Sequence, residues 1–222
     1  MRGRASRAGS FISLVGAEEY EDHEGSFPNS CPDIHPDPFY KVYSSTEDDH
    51  ACHRGKGPAG FYGAETSDCD TPISLINATF KWIEENLKDE IDFIVWTGDS
   101  AKHDNDDRIP RTEKQVVSQN RFVVEKFAEV FGEGKHGHKG FSIPIVPTLG
   151  NNDVLPHNIF KEGPNKWTKT YLDIWKLFIP QDQKEEFRKG GYFSVEVIPN
   201  QLAVISLNTL YVYLSRRKDG MD

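Results

Sequence analysis

Three short clusters in this chain carry side chains suited to hard divalent cations: Asp33-Ile34-His35, Thr97-Gly98-Asp99 leading to His103-Asp104, and Leu149-Gly150-Asn151-Asn152-Asp153. Carboxylate, amide oxygen and imidazole from three separate segments are the donor types that a two-metal hydrolytic centre draws on. Asp33 and His35 lie two apart, so in an extended segment they share one face and can reach one ion. Asp99 can bridge two cations, and Asn151 can give its amide oxygen to the second. Such a pair of ions clamps phosphate oxygens and lowers the pKa of water, which makes hydrolysis possible without a strong protein base.

Delivery of these side chains falls to an alternating pattern of strands and helices. Ile73, Ile76, Phe80, Ile83 and Leu87 recur at steps of three and four behind Pro72, predicting a helix over 72–87 that packs on a sheet. The run Ile91 to Trp96 reads as a short buried strand that stops at a glycine and hands over Asp99. Thr112 and Gln115 form a capping-box pattern, and Val116, Val123, Phe127 and Val130 mark the core side of a helix ending near Gly132. Ile143 to Leu149 contains Pro144 and Pro147, so a short or irregular strand delivers Gly150-Asn151. Trp167, Tyr171, Ile174 and Phe178 recur at helical spacing up to Pro180 and read as core packing with no chemistry assigned. Tyr192 to Ile198 and Gln201 to Thr209 read as two β segments around Pro199-Asn200. No internal repeat is present, and the class is α/β.

The 222 residues, 36% hydrophobic and 12% aromatic, suffice for one domain with a real core. A net charge of −9 argues against a nucleic-acid partner, because no basic stripe is available to displace phosphate counterions. An anionic substrate must therefore be met locally, and bound cations would reverse the field where it matters. The longest apolar stretch near the start, Phe11 to Ala17, falls far short of the roughly 18 residues that cross a bilayer. Residues 1–32 begin Arg-rich, turn acidic and show no sustained periodicity, so a flexible segment is expected there, followed by one domain over 33–222.

Cys52 and Cys69 flank a glycine-rich stretch while Cys31 stands apart. The pair fits either a disulfide or two buried thiols. A bridge across a loop of this size would contribute roughly 3 kcal/mol in the chain-entropy model, in an oxidising compartment. Asn77-Ala78-Thr79 is a glycosylation sequon, and with a bridge it points to the secretory pathway.

The order of D-x-H, G-D and G-N motifs resembles the calcineurin-like metallophosphoesterase superfamily. Within it, the strings DIHPDPFYK (33–41), CHRGKGPAGFYG (52–63), WTGDSAKHDND (96–106), PRTEKQ (110–115) and PTLGNNDVLPHNIF (147–160) are similar to fungal endopolyphosphatases, relatives of the acid sphingomyelinase-like phosphodiesterases. The resemblance runs from about Asp33 through Asn208-Thr209-Leu210-Tyr211. It implies part of a metallophosphoesterase β-sandwich flanked by helices, two divalent ions (Mn, Zn, Co, Fe or Mg), inorganic polyphosphate as substrate, and a vacuolar or secretory setting. Residue by residue it implies Asp33 and His35 on one metal, Asp99 as the bridge, Asn151 on the second metal, and His103 as the group that contacts phosphate and assists the leaving group. Where many relatives have G-N-H this chain has Asn152, which can hydrogen-bond a phosphate oxygen but cannot donate a proton as histidine does. Sphingomyelinase-like phosphodiester cleavage is the alternative activity.

Two departures from the family pattern follow. Pro28 and Pro32 precede Asp33 where the family has an apolar strand, and the hydrophobic anchor usual in the family is not found in this chain. The sequence also ends at Asp222, before the three further histidines of the family, so the domain reads as incomplete at its C-terminal side and a non-catalytic fragment is a further alternative. His136 and His138 form an H-x-H pair read as a solvated loop. His50 and His53 are expected at the surface, and Asp104, Asp106 and Asp107 as a solvated acidic face, with Asp104 the one candidate for an added ligand. Lys102, Arg108 and Arg111 are candidates to cradle a polyanion, Arg111 best placed beside the Thr112 cap. His157 is a candidate to line the cleft.

Overall fold

The computed structural model describes residues 33–134 and 139–211, together with the backbone of Phe11–Leu14. Nine strands and four α-helices are defined among them. Strand β1 (Phe11–Leu14) precedes β2 (Pro36–Asp37), β3 (Thr71–Pro72), α1 (Ile73–Asn86), β4 (Phe93–Trp96) and α2 (Glu113–Phe131). Then come β5 (Gly132–Glu133), β6 (Gly140–Phe141), β7 (Ile145–Pro147), α3 (Lys166–Ile174), α4 (Lys184–Gly190), β8 (Phe193–Ile198) and β9 (Leu202–Ser206). The mixed α/β class read from the sequence is the one observed.

A parallel three-stranded sheet in the order β1-β4-β7 forms the centre. Phe11 to Leu14 pair with Phe93 to Trp96, and Ile94 to Trp96 pair with Ile145 to Pro147. Parallel neighbours require crossover segments, and α2 supplies the one from β4 to β7. A regular strand therefore exists inside the segment expected to be flexible. It sits well upstream of the prolines, so Pro28 and Pro32 do not oppose it. His136, His138 and Cys31 lie outside the described residues.

The helices form as their sequence patterns require. Helix α1 starts directly after Pro72, whose φ of −65° already suits a helix start, and it buries Ile76, Phe80 and Ile83. Helix α2 has the predicted capping box: the Thr112 hydroxyl accepts from the Gln115 N–H while the Gln115 side chain accepts from the Thr112 N–H. Its core stripe packs on α1 and the sheet, with Phe127 edge-on to Phe80 and both rings centred 5.2 Å apart. Trp96 at the end of β4 meets Phe127, Trp175 and Phe178, so the aromatic stripe is core, as read. Helix α3 is shorter than its periodicity suggested, ending at Ile174. Beyond it, Ile179 and Phe178 both donate to the Trp175 carbonyl, a tightened turn that still buries Trp175 and Phe178. Strands β8 and β9 pair antiparallel around Asn200, which takes a positive φ of 58°.

Cys52 and Cys69 are joined in a disulfide, closing the alternative of two thiols. Asn77 is exposed on α1. Among the described residues no helix is long and apolar enough to cross a membrane.

Candidate metal centre

The three predicted clusters converge at the carboxyl ends of the central strands, where ligands of parallel sheets bind. The chain leaves β4 through Thr97-Gly98-Asp99 and β7 through Thr148-Leu149-Gly150-Asn151, and the two turns touch backbone to backbone. A Cβ on Gly98, at φ +96°, would lie 2.3 Å from the Gly150 nitrogen, and one on Gly150 would lie 2.3 Å from Asp99 Oδ1. Only glycine allows the approach at either position. The third segment is stitched on by backbone bonds: His35 N–H donates to the Asp99 carbonyl and Thr71 N–H to the His35 carbonyl, each at 3.1 Å.

One buried carboxylate holds the two turns together. Asp153, 0% exposed, accepts from the Asp99 and Ser100 N–H groups at 2.8 Å and from Gly150 N–H at 2.9 Å. Asn120 of α2 adds a 3.0 Å bond from its amide. Sequence reasoning placed Asp153 in a cluster suited to cations without giving it a role of its own, and assigned Gln119 and Asn120 no part. The signal available was the polar pair Gln119-Asn120 three and four residues beyond Val116, on the apolar stripe of α2. Gln119 donates to the Pro36 carbonyl at 2.7 Å, so the helix grips the Asp33-His35 segment as well.

Ligand-capable atoms of Asp33, His35 and Asp99 lie within 4.8 Å of one another. His35 Nδ1 donates to the Ala101 carbonyl at 2.7 Å, which fixes the tautomer and frees Nε2 toward Asp33, whose Oδ2 is 3.6 Å away. Asp33 Oδ1 is buried without a hydrogen-bond partner. Asn151 Oδ1 faces the Asp99 carboxylate, 2.7 Å from one oxygen and 3.2 Å from the other. Acceptor against acceptor is satisfied by a shared cation or by turning the amide so that it donates to Asp99. An orphaned Asp33 oxygen beside His35, the Asp99 carboxylate and the Asn151 amide is a donor set that fits divalent ions.

The electrostatics agree. Burial, and then the neighbouring Asp153 carboxylate, push Asp99 up to about 7. Burial opposes charge on His35, but its close Asp33 carboxylate and the fields of Asp70 and Asp99 outweigh that and raise it to about 9. Negative charge is thus in excess over what the protein itself neutralises. The cluster opens into a cavity of about 390 Å³ lined by Asp33, Asp99, Asn151, Thr148, Leu207 and Leu210. A second cavity of about 320 Å³, between Phe141, Ile143, Leu177 and Val195, has no titratable side chain in its wall.

The remaining sequence candidates divide. His103 stands at the rim with its ring centred 4.0 Å from that of His35, its side chain 46% exposed. His157 bonds Asn151 through Nε2 at 2.8 Å, and burial, Arg111 and His103 lower its pKa. Arg111 turns inward rather than toward the opening: it is 6% exposed and donates to the side-chain oxygen and carbonyl of Asn152. Asn152 is likewise buried, its backbone N–H donating to Asp99 Oδ1 at 2.6 Å and its side-chain oxygen accepting from Arg111, so it is engaged in holding the loop. Lys102 is fully buried with Nζ on the His103 carbonyl, so it cannot cradle a polyanion from there. Asp104 is spent on the Arg111 N–H.

Two surface readings are corrected. His53 is buried between Asp37 Oδ2 at 2.8 Å and Asp106 Oδ2 at 2.7 Å, and Arg54 also donates to Asp106. Asp106 is therefore 0% exposed, not part of a solvated face. The hydrogen bonds offset part of the cost of burying these polar groups, and no local pattern reveals the pairing. His50 does stay near the surface, beside Glu47.

No protein-family model matches the chain. It is 59% identical to the endopolyphosphatase of Neurospora crassa over 86% of its length, and 48% and 46% identical to those of Debaryomyces hansenii and Saccharomyces cerevisiae over 82%. By sequence the chain corresponds to one part of the fungal endopolyphosphatases. It spans about a quarter of the length of these relatives, 25–27%. The matches bear out the resemblance carried by the ordered motifs and favour the endopolyphosphatase branch over the sphingomyelinase-like one.

Proposed function

We propose that the whole protein is a metal-dependent hydrolase that cuts internal phosphoanhydride bonds of inorganic polyphosphate. The observation that carries this is the meeting of Asp33, with its orphaned oxygen, His35, Asp99 and the Asn151 side-chain amide in one acidic cleft. Asp33, His35 and Asp99 would hold one divalent ion, and Asp99 with Asn151 a second. Bound there, the ions would supply Lewis acidity toward phosphate oxygens and water.

The protein's own side chains do the rest. Asp153 and Arg111 hold the loops that present Asp99 and Asn151, and His35 is kept in one tautomer by Ala101. His103, exposed at the rim, is placed to pass a proton to the leaving phosphate oxygen, a role that Asn152 cannot share. His157 borders the entrance beside Asn151. Arg111 acts from behind the loop and not on substrate. The strand, glycine, ligand order after β4 and β7 supports a metallophosphoesterase sandwich in the whole protein. The Cys52–Cys69 bridge and the exposed Asn77 sequon support an oxidising secretory or vacuolar compartment.

The test uses the protein at the length of its relatives, loaded with Mn²⁺, Zn²⁺, Co²⁺ or Mg²⁺ and given long polyphosphate, sphingomyelin or a nucleotide diester. Shortening of polyphosphate that disappears in Asp99→Ala is expected. Undiminished shortening by a folded Asp99→Ala protein, or cleavage of the lipid or diester alone, would overturn the reading.

A further inference from the structure

We infer that Asp70 is a positioning residue for His103. Its buried carboxylate fixes the imidazole with the proton on Nδ1, so that the proton exchanged with substrate is the one at Nε2. Nothing in the spacing of the motifs marks Asp70, which lies 33 positions upstream of its partner.

The geometry is two-pronged. Asp70 Oδ1 accepts from His103 Nδ1 at 2.7 Å and Oδ2 accepts from the His103 backbone N–H, also at 2.7 Å. Two bonds from one planar group set both the position of the residue and the rotation of its ring. Asp70 is 7% exposed while the His103 side chain is 46% exposed, so the anchor is buried and the working edge is open. The far side of the ring rests on His35, which is itself pinned to Ala101.

Asp70 is in turn held from several directions. Cys69, its neighbour, is bonded to the buried Cys52. Thr71, on its other side, belongs to β3 and pairs with β2 next to His35. Asn105 donates to the Asp68 carbonyl at 2.7 Å, which ties the loop after His103 to the same segment. A disulfide, a strand pairing and a side-chain bond around a single carboxylate make it a fixed reference for a rim histidine that would otherwise be free to rotate. An ionised carboxylate accepts only, so Nδ1 must carry hydrogen.

Asparagine in place of Asp70 has one acceptor and one donor group. If its oxygen keeps the backbone N–H, its NH₂ faces Nδ1, which must then become the acceptor and move the proton to Nε2. This inference rests on the catalytic role proposed for His103, but its primary readout does not. ¹⁵N-histidine NMR of the full chain at pH 8.5, with His103 assigned from the His103→Gln spectrum, reads the tautomer directly. Wild type is expected to show a protonated Nδ1 and an unprotonated Nε2, and Asp70→Asn the reverse. A neutral wild-type ring carrying its one proton on Nε2, or averaging between tautomers, would overturn the inference, whether or not the variant folds, as would an unchanged pattern in a folded Asp70→Asn protein. Loss of the Nδ1 proton on adding Zn²⁺ would also overturn it, by making His103 and Asp70 ligands.

In the relative-length enzyme, Asp70→Asn is expected to lower kcat at least about tenfold with KM nearly unchanged, as loss of an aligned proton donor does. The loss should shrink for a p-nitrophenyl diester, whose leaving group needs no proton. Equal losses on both substrates would overturn the positioning role, while inactivity of wild type on polyphosphate alone would count against the proposed substrate and leave the NMR result standing.

Discussion

Two clusters of histidine and aspartate in this molecule are alike in composition and opposite in state. Around His53, Asp37 and Asp106 occupy both ring nitrogens, Arg54 adds a cation, and backbone N–H groups of Phe39 and Arg108 take the remaining carboxylate oxygens. Around His35, one Asp33 oxygen has no hydrogen-bond partner, and the Asn151 amide faces the carboxylate of Asp99. In the first cluster every His53 nitrogen and every Asp37 and Asp106 oxygen is bonded, and it cross-links the 37–54 segment to the 106–108 turn. The second is short of positive charge and open to a cavity. Residue type does not separate a scaffold from a site; whether the polar atoms are satisfied does.

The sharpest way to break the comparison is to remove one member of each cluster. Asp106→Ala should cost about 3–5 kcal/mol of stability, because it strands His53 and Arg54 inside, while leaving divalent-ion affinity within about twofold. Denaturant melts with and without Mn²⁺ would check this; a loss below about 1 kcal/mol would make the first cluster dispensable. Asp99→Asn should do the converse, weakening Mn²⁺ binding at least about 100-fold by calorimetry with stability held or raised. Stability is not expected to fall, because Asp99 is disfavoured as a charged group in the ion-free protein.

A smaller effect distinguishes the second ion position. Asn151→Ala should weaken cation binding about tenfold, since a neutral amide oxygen contributes less than a bridging carboxylate. Equal affinity in this variant would mean that the amide turns to Asp99 and holds no ion. On the acid side, burial raises the Asp106 pKa, but Arg54, His53 and the Arg108 N–H more than offset it and leave it well below the usual carboxylate range. A depressed folded pKa stabilises at pH above the unfolded value near 4 and loses that contribution progressively as pH falls from there through the lower folded value. Wild type should therefore lose stability below about pH 4 more steeply than Asp106→Asn, in melts taken between pH 3 and 6. The least effect is expected from Thr112→Ala, about 1 kcal/mol from the lost α2 cap, with ion affinity unchanged.

Much of this was legible before any coordinates. Strand, glycine and ligand recur in order at Trp96 to Asp99 and Leu149 to Asn151, and the capping box at Thr112 marked where α2 begins. Periodicity located α1, α2 and the start of α3, because local backbone geometry dictates which side chains share a face. Strand β1 was hidden in a segment without sustained pattern, since a four-residue strand is too short to show one. Helix α4, seven residues with Phe187 buried, escaped notice for the same reason.

The sequence by itself determined which residues can hold cations and the order in which the chain presents them, because donor chemistry belongs to each side chain and motif spacing to the covalent chain. Tertiary structure alone decided which histidine is scaffold and which stands at the rim. His53 became a cross-link and His103 an anchored rim group through carboxylates 53 and 33 positions away. It also turned Arg111 and Lys102 inward. Those outcomes depend on burial and on which polar atoms remain unpaired, quantities that exist only once distant segments have met.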